Sequence, residues 1–443
     1  MKEVSSTGRE PAAYPVSLFE KRGRWFGLGA MGTAALSLMT QVLFERGLGV
    51  EGFAQWALVN SLVVVFITVA CFGSSNLVMS EYFEGHLTSP AGRIALARFF
   101  LTTGLIALLG FVAAYGWAPL PGARTPRDVA LGALILVAQI PIVLVYPMFQ
   151  IHDRARMVAF WHFMQNLGRS LVAATSLIVA MTYTTAMAGW LAVSLVLCAW
   201  VLLDRGARRF PAAPLIPSPR QERTSEIPQT VAARGLRFGF AEALDALDLK
   251  VALPIAALFL TAKETAATSL GLVFLFAVHF FPYVLVTRYL LPAVHSSGRQ
   301  ETNSVLTTVD RWLVLGVIAS GAVAVLFALF GANLVAILAR GDYNDQRHMF
   351  VAAGIAMVPL SVSILGSATF MTIDRQRDLL AWRVRATLVF LLTLVLTAPW
   401  MGSAAAFIAI AAGRTYLGAK FVLVAARERE FTIARKRRVR AGG

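Results

Sequence analysis

Charge is scarce in this 443-residue chain, with Asp, Glu, Lys and Arg making up 14% of the residues, against about 25% in a soluble domain. Too few polar side chains are present to cover a water-soluble globule of this size. Acids are scarcer than bases, 24 against 40. Cysteine is nearly absent. Cys71 and Cys198 both fall inside apolar runs, which argues against a disulfide framework. The six histidines form no close metal-like cluster, and His152, His162 and His279 read as packing or interface residues. The sequence has no P-loop, nucleotide motif or nucleophile constellation, which disfavours an ATP-driven pump or an intramembrane enzyme. No catalytic residue, metal site or cofactor is therefore expected. A signal peptide does not fit either: the first apolar run starts near Trp25 and continues past signal length without a small-residue cleavage site.

What the chain has in place of charge is hydrophobicity, 57% of residues with a mean hydropathy of +0.67. Runs near spanning length fall at about 25–44, 53–79, 98–117, 128–149, 158–180, 187–203, 236–260, 266–290, 311–331, 348–371, 384–400 and 403–425. The expected fold class is all-α, a polytopic membrane protein of about twelve transmembrane helices. Pro141, Pro147, Pro282 and Pro359 lie inside these runs and are expected to kink them.

The net charge of +16 could suggest nucleic acid, but its distribution follows the membrane. Alternate connections hold most of the basic residues, among them Lys21 and Arg22, Arg154 and Arg156, Arg205 to Arg234, Arg375 to Arg383, and the tail from Arg427. The opposite connections hold only Arg46, Arg124, Arg127, Lys263, Arg340 and Arg347. The positive-inside rule places the first set, with both termini, in the cytoplasm. Membrane lipids, not nucleic acid, are the partner this pattern implies, and Arg435 to Arg438 suits anionic headgroups. The expected organisation is a cytoplasmic segment 1–24, a six-helix bundle 25–203, a Pro-rich cytoplasmic linker 204–234, a second six-helix bundle 235–426 and a basic tail 427–443.

The stretch from Arg237 to Leu260 is long enough to cross a bilayer yet carries Glu242, Asp245, Asp248 and Lys250. A central Asp or Lys costs about 2.5–3.5 kcal/mol on insertion scales, while each Leu, Ile, Phe or Val returns only about 0.3–0.6. This helix should face protein or a polar cavity rather than lipid. At about 100° per residue the three acids share an arc of roughly 120°. The alternative is an internal salt bridge that only fixes helix packing; three acids against one lysine make incomplete neutralisation on this helix the expectation.

The two halves also match at near-constant offsets. Phe26-Gly27 recurs as Phe238-Gly239 after 212 residues, Glu51 as Glu264 and Arg98 as Arg311 after 213. Asp153-Arg154-x-Arg156 with Trp161 recurs as Asp374-Arg375-x-Arg377 with Trp382 after 221. A parallel repeat of two six-helix units around a central cavity is expected, with a substrate site between them near the midplane.

With these features in place, the chain resembles the polysaccharide-biosynthesis flippases of the multidrug/oligosaccharidyl-lipid/polysaccharide exporter superfamily, from Trp25 to Arg427. The resemblance rests on Leu43 to Leu58 (LFERGLGVEGFAQWAL), Leu247-Asp248 with Lys250, Leu338 to Tyr343 (LARGDY) and Gly402 to Ala406 (GSAAA). The chain departs from the family at Ala54 and Ala267, where glycine is usual, and at Lys250, displaced by one residue from the usual Arg. It also lacks the fourteen helices usual in peptidoglycan lipid II flippases. The resemblance implies movement of an undecaprenyl-pyrophosphate-linked oligosaccharide to the periplasmic leaflet of a bacterial inner membrane, with a polymerase and assembly proteins as further partners. A pyrophosphate headgroup needs cations, and Arg169, Lys250, Arg288 and Arg414 lie within or near spans. Glu242, Asp245 and Asp248 are the candidate cavity or ion-coupling acids. The competing readings are a cation-coupled exporter resembling the multidrug and toxin extrusion branch, and a non-transporting scaffold that recruits polysaccharide assembly proteins through its linker and tail.

The expected topology is open to a direct check. A cysteine introduced at Ser218 should resist a membrane-impermeant thiol reagent in intact cells, and one at Asn344 should react; labelling at Ser218 alone would reverse the orientation.

Overall fold

The structure, a computed structural model, describes residues 16–83, 86–117, 125–151, 155–203, 227–285, 302–338, 343–372 and 376–441. Twelve α-helices run through them, numbered here in chain order. The first half holds α1 (Val16–Ala70), α2 (Ser74–Phe83), α3 (Pro90–Trp117), α4 (Pro126–Ile151), α5 (Ala155–Ile178) and α6 (Tyr183–Leu203). The second holds α7 (Ile227–Ala256), α8 (Ala262–Leu285), α9 (Thr302–Leu338), α10 (Arg347–Thr372), α11 (Gln376–Met401) and α12 (Ala405–Ala441).

The first two apolar runs form the two arms of α1, separated at Gly49, whose φ of 69° and ψ of 176° break the helix. A non-glycine residue rarely adopts that conformation, and here it turns the chain back at one end of the molecule. Gly73, with φ of 68°, ends the second arm before α2. In the second half the same return is made by Ala257–Thr261, three residues past Pro254. The next helix then starts on a capping box: Thr261 N–H donates to Glu264 Oε2 at 2.9 Å, and Glu264 N–H donates to Thr261 Oγ1 at 3.3 Å. Thr125 and Asp128 do the same for α4, with Pro126 at the first helical position. Two boundaries differ from the hydropathy reading. α7 begins at Ile227, inside the stretch expected to be linker, and α12 continues to Ala441 through the basic tail; in both, polar residues extend helices whose apolar parts are packed elsewhere.

The protein is a multi-pass membrane protein. Six helical segments among the described residues are long and apolar enough to cross a bilayer, and two of them, Gly32–Ala70 and Asp378–Val424, have length for two crossings. Their outward faces are apolar: Leu101, Leu105 and Leu109 on α3, and Leu388, Leu392 and Leu396 on α11, are all exposed at four-residue spacing. Such a stripe has lipid, not water, as its solvent. Inside, a continuous apolar core joins both halves, running from Phe44, Phe53 and Trp56 through Leu249 and Leu253 to Phe350 and Phe407.

The repeat inferred from matched residues has a structural counterpart. Trp161 on α5 stands edge-on to Trp200 on α6, with centroids 5.7 Å apart at 87°. At the same offset, Trp382 on α11 stands edge-on to Phe421 on α12, 6.2 Å apart at 71°. Helix pairing repeats too, with α4 on α6 and α5 on α6 in one half, and α10 on α12 and α11 on α12 in the other. The matched Asp153-Arg154 and Asp374-Arg375 lie outside the described residues.

Gly402 opens the small-residue stretch before α12 with φ of 52°, and a Cβ there would stand 2.4 Å from Glu264 Oε1. Gly402→Ala should therefore destabilise the protein by about 1–3 kcal/mol. Gly321→Ala on α9, where an added Cβ meets nothing within 4 Å, should be neutral or gain up to about 1 kcal/mol. Thermal unfolding in detergent compares the two.

Candidate functional site

The charged helix expected from sequence is α7, and its Asp248 and Lys250 turn in different directions. Asp248 turns into the second bundle and meets Arg414 of α12 in a two-pronged pair: Arg414 Nε donates to Oδ2 at 2.5 Å and Nη2 to Oδ1 at 2.7 Å. Arg414 Nη1 also reaches Ser363 Oγ of α10 at 3.4 Å. Both ends of the pair are buried, Asp248 at 6% exposure and Arg414 at 4%. At such burial the planar fork is the geometry in which a guanidinium recovers most of its desolvation cost. A small cavity beside the pair is lined by Leu244, Arg383, Thr387 and Leu417. Arg383, counted from the sequence among the charges of a connection, is instead buried in α11 at this cavity; hydropathy places helix ends poorly where a charge sits about two turns inside.

Lys250 turns the other way, across the boundary between the halves. Its Nζ donates to Thr68 Oγ1 on the second arm of α1 at 2.8 Å, and its carbonyl accepts from Ser61 Oγ at 3.3 Å. Asp248 and Lys250 are thus not partners in one cluster: two residues apart, they point about 200° apart on the helix. Arg169 is in neither place. It lies in the first bundle on α5, its guanidinium 4.8 Å from the ring centroid of Trp190 on α6. Glu242 and Asp245 lie on α7, but their side chains, like the whole of Arg288, fall outside the described residues.

Two further sets of polar contacts, not anticipated from sequence, fasten the halves at opposite ends. At the end carrying Gly49, the Tyr343 hydroxyl donates to Glu45 Oε1 at 3.2 Å, and Arg46 Nη2 donates to the carbonyl of Ile337 at 2.7 Å. Burial, followed by the neighbouring Glu45 carboxylate, pushes the Tyr343 hydroxyl well above its ordinary range, which keeps it a donor. Close by, Lys263 pairs with exposed Asp345 at 2.9 Å, and the hydrogen bond from Lys263 holds the Asp345 carboxyl below the usual range; an exposed pair of this kind contributes little to stability. At the other end, buried Glu81 of α2 accepts from Arg234 of α7 at 3.2 Å and lies 2.8 Å from His86 Nδ1. Arg234 was expected in the linker; it belongs to the first turns of α7. Tyr343 is the last residue of the LARGDY segment, whose residues 339–342 lie outside the described residues, and it bonds to the first half at this end.

No family model and no curated protein matches the sequence. Solved structures do match it. The backbone is similar to the inward-facing conformation of a multidrug resistance MATE family transporter of the MOP superfamily, with a TM-score of 0.64 at 15% identity over 91% of this chain and 96% of that one. It is similar to the lipid II flippase MurJ in an inward closed conformation, with a TM-score of 0.70 at 10% identity over 91% and 87%. The chain has the fold of the MOP-superfamily transporters. A third MOP-superfamily transporter, from Pyrococcus furiosus, matches with a TM-score of 0.60 at 13% identity over 93% and 96%, and its description reports a reverse polarity of its binding pocket suggesting a different function. Within this fold the described residues place the buried Asp248–Arg414 pair in the second bundle, Arg169 on an indole in the first, and Lys250 at the boundary between them.

Breaking the buried pair from one side should cost about 3–5 kcal/mol, because the remaining charge stays in the bilayer interior. Asp248→Asn and Arg414→Gln should each lower thermal stability by that amount, and Asp248→Leu with Arg414→Met should restore most of it. Additive losses in the double variant would show that the two residues do not act as a pair.

Proposed function

We propose that the protein is a transporter that moves an undecaprenyl-pyrophosphate-linked oligosaccharide from the cytoplasmic to the periplasmic leaflet of a bacterial inner membrane, for exopolysaccharide or O-antigen assembly. The two bundles rock about a site between them, and the polyprenyl tail stays in lipid while the headgroup crosses through protein. The fold supports a transporter. The observation that carries the anionic cargo is the charge inventory of the interior. Among the described residues, the buried carboxylates of Glu45, Glu81, Asp128 and Asp248 all accept hydrogen bonds or ion pairs from neighbouring side chains. Among the same residues, Arg169 sits on an indole with no carboxylate beside it. A cation so placed, with the described buried acids already engaged, supports a pyrophosphate of about two negative charges over a cationic drug.

The likeness to the MATE transporter favours a second reading, cation-coupled export of a drug or metabolite, in which the acids of α7 take the cation. The scaffold reading places function in the linker and tail, and trimming Arg435 to Gly443 would then abolish polymer at normal protein level. Deletion of the gene separates these readings. Leaflet-resolved analysis of lipid-linked sugars should find them accumulated on the cytoplasmic side, with the defect reproduced by Lys250→Ala in a folded protein. An unchanged leaflet distribution, together with drug sensitivity, would replace the flippase by the exporter.

A further inference from the structure

Arg169 is a cation that the architecture does not require. It lies midway along α5, in a bilayer-spanning bundle, and touches the indole face of Trp190 at 4.8 Å. Its one electrostatic neighbour among the described residues is the Tyr146 phenol, which is neutral at physiological pH. Arg169 is only partly buried, and what desolvation it suffers is offset by a cation–π contact that contributes about 0.5–2 kcal/mol. The sister bundle shows the bland alternative. The repeat offset of 221 that relates Trp161 to Trp382 takes Arg169 to Phe390, which is completely buried in the apolar core. A phenyl ring therefore fills the corresponding position at no electrostatic cost, and packing alone does not explain the arginine.

The surroundings of Arg169 are rich in donors that have nothing to donate to. Trp190 and Trp56, whose rings are 6.2 Å apart, are each 1% exposed, and the indole Nε1 of both lacks a hydrogen-bond partner. Such groups are rare in protein interiors, and each carries a penalty of about 1–3 kcal/mol. Two orphaned indole donors, and a guanidinium lying on one of those two rings, are complementary to a single kind of ligand.

We propose that the first bundle contains an oxyanion-binding site built on Arg169 and Trp190, with Trp56 as an additional donor. It takes one phosphoryl or carboxylate group, the guanidinium supplying charge and the indole N–H groups direction. The site lies apart from Lys250 at the boundary between the bundles; its headgroup source rests on the proposed function, and its free-anion source does not. The oxyanion has two possible sources, the headgroup of a polyprenyl pyrophosphate or a free inorganic anion, and the chemistry of recognition is the same for both.

The test uses the full chain in zwitterionic phosphatidylcholine nanodiscs, with thermal unfolding followed during titration by inorganic phosphate, inorganic pyrophosphate or a prenyl pyrophosphate at constant ionic strength. The wild type should be stabilised saturably by at least one of them, and Arg169→Gln should lose that response while unfolding at the same temperature as the anion-free wild type or higher, because an unpaired interior charge has been removed. Response to the inorganic anions identifies a free-anion site; response to the prenyl pyrophosphate alone identifies the headgroup. Trp190→Phe, which keeps the ring and removes the N–H, should weaken the response without removing it. Should the wild type respond to none of the three, or should Arg169→Gln respond as the wild type does, no oxyanion site exists there and Arg169 serves packing alone.

Discussion

A charge inside a bilayer has to be met by protein, and most of the polar architecture of this molecule follows from how its few interior charges are met. Asp248 could not lie in α7 against lipid; it is tolerated because Arg414 approaches from α12 with two hydrogen bonds and Ser363 supports the arginine from α10. Three helices of the second bundle are thereby held in register around one ion pair. A single charge lost from that pair leaves its partner stranded, so the pair ties α7 to its own bundle, while Lys250 and Arg234 of the same helix bond across the boundary to Thr68 and Glu81.

The polar contacts between the halves are sorted to the two ends. Glu45 with Tyr343, and Arg46 with the Ile337 carbonyl, close the end at which α1 turns; Glu81 with Arg234 closes the other. Between them the boundary is mainly apolar, crossed by the Lys250–Thr68 bond. Hydrogen bonds and ion pairs at the ends can exchange partners with water when one end opens, whereas an apolar middle can slide. Rigid halves with polar ends and an apolar waist match what rocking of one bundle against the other requires.

How much of this was legible in the sequence depended on whether the evidence was local. Span lengths, the turn at Leu43 to Leu58, the small-residue start of α12 and the parallel repeat could all be read, because each is set by neighbours in the chain or by a fixed offset. Asp248, Lys250, Arg169 and Arg414 were each recognisable as costly in a membrane. Their partners were not: Arg414 lies 166 residues from Asp248 and Tyr343 lies 298 from Glu45, and no local pattern carries such distances. Hydropathy also misplaced Arg383 and Arg234, which it put in connections, because a charge near a helix end reads as a boundary even when tertiary contacts bury it, as for Arg383, or pair it, as for Arg234. Asp248 and Lys250 turn to nearly opposite sides of α7, as residues two apart on a helix do.

The central claim is that the interior presents positive charge to an anionic cargo while its described acids are already engaged. Transport by the purified protein in proteoliposomes tests this most directly, with a prenyl-pyrophosphate-linked saccharide and a lipophilic drug cation offered separately. The account predicts net movement of the anionic lipid across the bilayer and none of the cation. Movement of the cation, with the anionic lipid left in its original leaflet, would contradict it.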